Sequence, residues 1–128
     1  LGSDAKIVNT GERLIVTMPQ DILFATDSAS LRPDLTRDIR AVASSLQAYE
    51  DSTVQVIGHT DNTGDAGYNQ SLSLRRAQAV TAVLASEGVN SFRMQAIGRG
   101  EDAPLATNLS PEGRQLNRRV EIVITPSV

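Results

Sequence analysis

Asp61 and Arg76 are the two side chains whose types and spacing give the clearest grounds for chemistry. Asp61 stands in His59-Thr60-Asp61-Asn62-Thr63-Gly64, directly after a β-branched run, TVQVIGH, that ends at His59. Asp, Asn and Gly after a strand also make a turn, and turn formation alone accounts for Asp61. Downstream, Tyr68 to Ala77 reads YNQSLSLRRA, and at helical spacing positions 69, 72, 73, 76, 80 and 83 share one face. Arg76 therefore lies on a stripe with Leu72, Val80 and Val83, while Arg75 points elsewhere. An arginine on the core-facing stripe needs a carboxylate, because burying an unpaired charge is costly. Asp61, at the end of the preceding strand, is the candidate partner. Two readings stay open: a structural salt bridge, or a dipolar pocket for a zwitterion carrying an ammonium and a carboxylate on one carbon.

Other chemistries fit less well. Gly98-Arg99-Gly100-Glu101-Asp102-Ala103 matches G-x-G-x-x-A after a strand. A dinucleotide site, however, needs a helix opening at those glycines, and Pro104 and the polar stretch up to Pro111 offer none. His59 is the only histidine; it and Asp61 occupy alternate strand positions, with no third metal ligand evident, so His59 reads as a satisfied surface residue. A serine–histidine triad would have to use His59, and no carboxylate pair stands out for glycoside hydrolysis. With no cysteine, disulfides, thiolate metal sites and cysteine nucleophiles are excluded. The expectation is a protein that is not an enzyme and needs no cofactor or metal.

The elements that must position Asp61 and Arg76 follow from periodicity. Leu14, Val16 and Met18 alternate with Arg13, Ile15 and Thr17, which predicts a half-buried strand stopped by Pro19. Asp27 and Ser28 fall in a loop, and Pro33 and Asp34 suit a first helical turn. Leu35, Ile39, Val42, Leu46 and Tyr49 then recur at helical spacing. After the strand ending at His59, Tyr68 to Glu87 reads as a second helix with Gly88 as its C-terminal cap. Met94 to Gly98 predicts a short strand, and Val120, Ile122 and Ile124 a last one ended by Pro126. The order β-α-β-α-β-loop-β predicts an α+β fold with helices on one face of a sheet. Residues 1–12 are polar and read as a linker or an N-terminus foreign to the domain, leaving 13–128 as one domain, as the length suggests.

Composition narrows the function classes. Hydrophobic residues make up 40% and aromatics only 3%, so Leu, Ile, Val and Ala must build the core. No apolar run approaches the roughly 20 residues that span a bilayer; Leu1 looks like a cut start, so an export signal is expected upstream. The net charge of −3 argues against nucleic acid as a partner. The charge is uneven: residues 1–74 carry five basic and ten acidic side chains (−5), residues 75–128 seven and five (+2). Every basic residue but Lys6 is an arginine, the side chain suited to bidentate carboxylate pairing, although a compositional bias of the gene explains most of them equally well.

In order, HTDNTG, YNQSLSLRRAQAV, GRGE and NRRVEI (Asn117 to Ile122) resemble the signature of the OmpA-like peptidoglycan-binding domain, the family of OmpA, Pal and the MotB stator protein. The similarity runs from about Val16 to Ile124, and the lead-in ILFATDSASLRPD (Ile22 to Asp34) is most similar to lipoprotein-type members such as YiaD. The resemblance implies a mixed four-stranded sheet, in the order β-α-β-α-β-β, with its helices on one face. It implies non-covalent binding of the cell wall through the diaminopimelate of the stem peptide, with Arg76 on the ligand carboxylate and Asp61, of the Thr60-Asp61 pair, on its ammonium. Asn69 and Leu72 would line the pocket and position the strand-to-helix loop. Arg118 would serve either as a further carboxylate partner or as a structural residue facing the helix. The setting implied is the periplasmic side of an outer-membrane-associated protein of a Gram-negative bacterium, tethered to the membrane by an N-terminal anchor outside this sequence, with room for envelope protein partners. The alternative is an envelope protein-interaction domain whose Asp61–Arg76 pair is purely structural.

Overall fold

The computed structural model describes residues 6–9, 13–19, 24, 36–48 and 51–125. Strand β1 (Lys6–Asn9) precedes β2 (Leu14–Pro19), helix α1 (Thr36–Ala48) and β3 (Thr53–His59). Helix α2 (Ala66–Ser86), a 3₁₀ turn (Ser91–Arg93), β4 (Met94–Gly100), helix α3 (Pro111–Asn117) and β5 (Arg119–Thr125) follow. The sheet order is β1-β2-β5-β3-β4; only β3 and β4 run parallel, joined through α2, so the sheet is mixed as expected. The last strand, whose place the pattern left open, is central.

Two features exceed the sequence reading. The sheet gains a fifth strand because Lys6–Asn9, inside the stretch read as a linker, pairs antiparallel with Leu14–Thr17 along the edge of β2. The segment read as loop before β5 contains α3, capped by Ser110, whose side chain accepts from Gly113 N. The roles expected of Asp27, Ser28, Pro33, Asp34, Leu35, Tyr49 and Pro126 lie outside the described residues.

Alternation along the strands separates the two faces. Val16, Met18, Val54, Val56, Val120 and Ile122 share one face by register and are all buried, together with Ile39, Val42, Ala43 and Leu46 of α1 and Ala77, Val80 and Leu84 of α2. Both helices therefore cover this face, and each fully buried aliphatic chain contributes roughly 1.5–3 kcal/mol. Only the C-terminal half of α2 is apolar there. Its N-terminal half buries Asn69, Leu72, Ser73 and Arg76, so that half belongs to a polar site. Asp65 caps the helix by accepting from Tyr68 N, and Gly88, at φ 100°, turns the chain out after Glu87 as the glycine there predicts.

The glycines of the GRG run serve helix packing. A β-carbon at Gly98 would lie 2.7 Å from Leu74 N, and one at Gly58 only 2.1 Å from Ser73 O. Helix α2 thus rests with its backbone against β3 and β4, and Ser73 Oγ accepts from Gly100 N at 2.9 Å. Gly58→Ala is expected to cost about 3 kcal/mol, since the clash is with rigid backbone, and to lower Tm by roughly 10 °C. A melt within 2 °C of the parent would show that α2 is free to shift; it is this contact that fixes the helix relative to the end of β3.

Candidate functional site

At the end of β3 the chain enters a loop built around Asp61, which is 7% exposed. Thr60 N donates to Gly100 O at 2.8 Å and its hydroxyl donates to Asp61 O at 2.8 Å, anchoring the loop's start to β4. Asp61 Oδ1 accepts from Thr63 N at 2.9 Å, so the turn expected for an Asp at this position does form. Asn69 Nδ2 donates to Thr63 O at 2.9 Å and lies 3.4 Å from Asp61 O, tying the loop to the first turn of α2.

The second carboxylate oxygen does something the turn does not require. Asp61 Oδ2 accepts from Arg118 Nη1 at 2.8 Å, across 57 residues of sequence. Arg118 is the residue between α3 and β5, and strand alternation explains its direction: Arg119 faces the sheet side away from the helices, with His59, so Arg118 faces the α2 side. Burial alone would raise the Asp61 pKa, but the Thr63 amide and the Arg118 guanidinium outweigh it and hold the carboxyl below its ordinary value. The site therefore keeps an ionised carboxylate beside a half-buried guanidinium at neutral pH.

Arg76 lies on the buried stripe of α2 with Leu72, at 3% exposure, whereas Arg75 is exposed. Its guanidinium carbon stands 5.2 Å from the centroid of the Phe24 ring, a cation–π distance. Hydrogen bonds thus join Thr60, Asp61, Asn69 and Arg118 directly, while Leu72 and Arg76 continue the same helix face as Asn69. Sequence reasoning passed over Thr63, whose place two residues after Asp61 is the usual signal of such a turn, and Phe24, which gave no local signal.

One expectation is corrected. His59 is not a surface residue: it is 4% exposed and faces the sheet side opposite the helices, with Nε2 3.4 Å from Glu121 Oε1. Arg119 closes this cluster with Nε 2.7 Å from Glu121 Oε2. Single-sequence patterning missed it because the pleat alternation beyond Gly58 places His59, Arg119 and Glu121 on one face only once β3 and β5 are paired. His59, foremost, and Arg119 hold the Glu121 carboxyl down to about 2 from 4.5, against the opposing effect of burial. With the folded pKa depressed, this stabilisation is complete above about pH 4.5 and is lost as pH falls towards 2, amounting to about 3 kcal/mol at most. Urea midpoints followed from pH 5 to 2 are expected to fall more steeply for the parent than for Glu121→Gln; parallel curves would contradict this. Among the described residues no three metal-ligating side chains gather, and no helix is long and apolar enough to cross a membrane.

The OmpA family profile matches residues 23–118 of the 128. The chain belongs to the OmpA family. This OmpA-family chain is 37% identical to the probable lipoprotein YiaD of Escherichia coli over 98% of its own length and 57% of YiaD. It is 44% identical to the peptidoglycan-binding protein ArfA of Mycobacterium tuberculosis over 80% of its length, but 32% of ArfA. The chain thus spans little more than half of one of these relatives and a third of the other. Among solved structures, the cell wall anchor of the T6SS from Pseudomonas aeruginosa superposes with a TM-score of 0.89 at 37% identity, covering 97% of this chain and 89% of that one.

Proposed function

We propose that this OmpA-family domain binds the peptidoglycan wall without covalent attachment, gripping the diaminopimelate of the stem peptide at Asp61 and Arg76. The observation that carries the reading is the Asp61 carboxylate, kept ionised after the end of β3 and beside the start of α2, with Arg118 at 2.8 Å and the buried Arg76 on the same helix face as Asn69. Such a set of side chains offers an acceptor for the ligand's ammonium and guanidinium forks for its carboxylate. The names of ArfA and of the T6SS cell wall anchor, both strongly similar to this chain, support wall binding. The similarity to the probable lipoprotein YiaD supports a membrane-tethered setting, which we take to be the periplasmic side of the outer membrane of a Gram-negative bacterium. The domain holds the wall and does not cut it.

A zwitterion makes few charge-assisted hydrogen bonds, each worth roughly 1.5–3 kcal/mol before the entropy of association. A net of about −4 to −6 kcal/mol gives a dissociation constant between about 1 mM and tens of micromolar, and many domains tethered beside a polymeric wall raise retention by avidity. The second reading is an interaction domain for another envelope protein; the short Asp61–Arg118 pair favours it, because that pair can be purely structural. Cosedimentation with isolated sacculi separates these readings. The proposal expects the domain to pellet and no soluble muropeptides to appear. A domain left in the supernatant would favour the interaction module, and released muropeptides would make it a hydrolase.

A further inference from the structure

Arg118 occupies a one-residue junction: α3 ends at Asn117 and β5 begins at Arg119. Its guanidinium is partly exposed, with 28% of the side chain accessible, and an arginine on so short a link has several rotamers open to it. Yet both neighbours are pinned. Asn117 is fully buried, and its carboxamide accepts from Leu105 N at 2.7 Å and Ala106 N at 2.8 Å while donating to Ala106 O and Asn108 Oδ1. Arg119, 5% exposed, spreads its guanidinium over three acceptors: Glu121 Oε2 at 2.7 Å, Ala103 O at 3.1 Å and Asn117 O at 3.3 Å. One planar fork therefore ties together the last residue of α3, the loop before it and β5. His59, cross-strand from Arg119 and 3.4 Å from Glu121, brings in the end of β3, two residues before Asp61.

We infer that Arg119, on the sheet face away from the Asp61–Arg118 pair, is the positioning residue that sets Arg118 against Asp61. The fork fixes the backbone on both sides of Arg118, so the origin of its side chain is held relative to the end of β3. A lysine cannot replace it, since a point ammonium cannot reach three acceptors lying in the directions of a guanidinium. The consequence for wall retention rests on the proposed function; the geometric claim does not.

The test reads the site itself. In the whole domain, the Asp61 side-chain carboxyl carbon is followed by NMR as pH is lowered, in the parent, Arg119→Lys, Glu121→Gln and Arg118→Ala. Arg118→Ala marks the midpoint of Asp61 without its partner. If Arg119 positions Arg118, Arg119→Lys moves the Asp61 midpoint upward, at least half-way to that mark, and Glu121→Gln, which replaces the fork's charged acceptor with a neutral amide while keeping the arginine, moves it part of the way. A role confined to general stability would lower Tm and leave the Asp61 midpoint unchanged, and that result would overturn the inference. Should Arg119→Lys fail to fold, Glu121→Gln alone decides: an unshifted midpoint in that variant overturns the inference too. Sacculus retention measured on the same proteins is expected to fall about five-fold in Arg119→Lys, the scale of coupling between neighbouring side chains. If the parent itself is not retained, the wall-binding reading fails while the Asp61 titration still decides the positioning claim.

Discussion

Asp61→Ala and Arg76→Ala are each expected to abolish retention on sacculi, whereas Arg75→Ala is expected to stay within about two-fold of the parent. The contrast follows from the phase of α2: adjacent residues differ by about 100° around the axis, so Arg76 is buried on the site-facing stripe and Arg75 is exposed. Asp61→Ala does two things at once. It removes the acceptor for the ligand's ammonium, and it leaves Thr63 N and Arg118 without the carboxylate they share, a stability cost of about 1–3 kcal/mol. Asp61→Asn separates the two effects, because its carboxamide oxygen can still accept from Thr63 N while the negative charge is gone. Loss of retention in a well-folded Asp61→Asn protein therefore reports binding and not folding. Arg76→Ala removes the guanidinium that stacks on Phe24, and thermal melts are needed alongside to show that the variant is folded. If Arg75→Ala were the variant that lost the wall while Arg76→Ala kept it, the assignment of the binding face would be wrong.

The second large effect is selectivity between wall types. At the corresponding wall position, diaminopimelate differs from lysine by one carboxylate on the far carbon. A lysine chain keeps its ammonium for Asp61 but offers nothing to the guanidinium of Arg76. Leaving that guanidinium desolvated without its bidentate partner costs about 1–3 kcal/mol. Since each 1.4 kcal/mol is a factor of ten, diaminopimelate-containing sacculi are expected to be retained about ten-fold or more over lysine-containing ones. Arg76→Lys is expected not to rescue binding well, because an ammonium cannot present the planar fork. Equal retention on both wall types would mean that the site does not read the zwitterion, and the protein-interaction reading would take the lead.

The parts of the fold that were legible in the sequence are those governed by local periodicity. Leu14, Val16 and Met18 alternate as β2 does, and Leu72, Arg76 and Val80 recur as α2 requires. Strand β1 was hidden because four residues, KIVN, within a polar stretch have no pattern of their own and gain strand structure only from the edge of β2. Helix α3, seven residues long, carries too few turns to show a stripe. The site was half legible for the same reason. Arg76, on the core-facing stripe, was matched to Asp61 at the end of the preceding strand, yet the short contact of Asp61 is with Arg118, brought in by the antiparallel pairing of β3 with β5. Likewise the sequence argues only against a nucleotide loop at the GRG glycines, and their packing against α2 at Gly98 has no local signal. Pairings made across a sheet are set by tertiary register, which no single stretch of sequence carries.

The central claim, that Asp61 and Arg76 hold diaminopimelate, is tested most directly by titrating free diaminopimelate into the isotopically labelled domain and following its amide and arginine side-chain NMR signals. Fast-exchange shifts are expected in residues 60–76 and at Arg118, half-saturating between tens of micromolar and about 1 mM, and absent from the Asp61→Asn protein. No shifts in that region at several millimolar ligand, or equal shifts in Asp61→Asn, would contradict it.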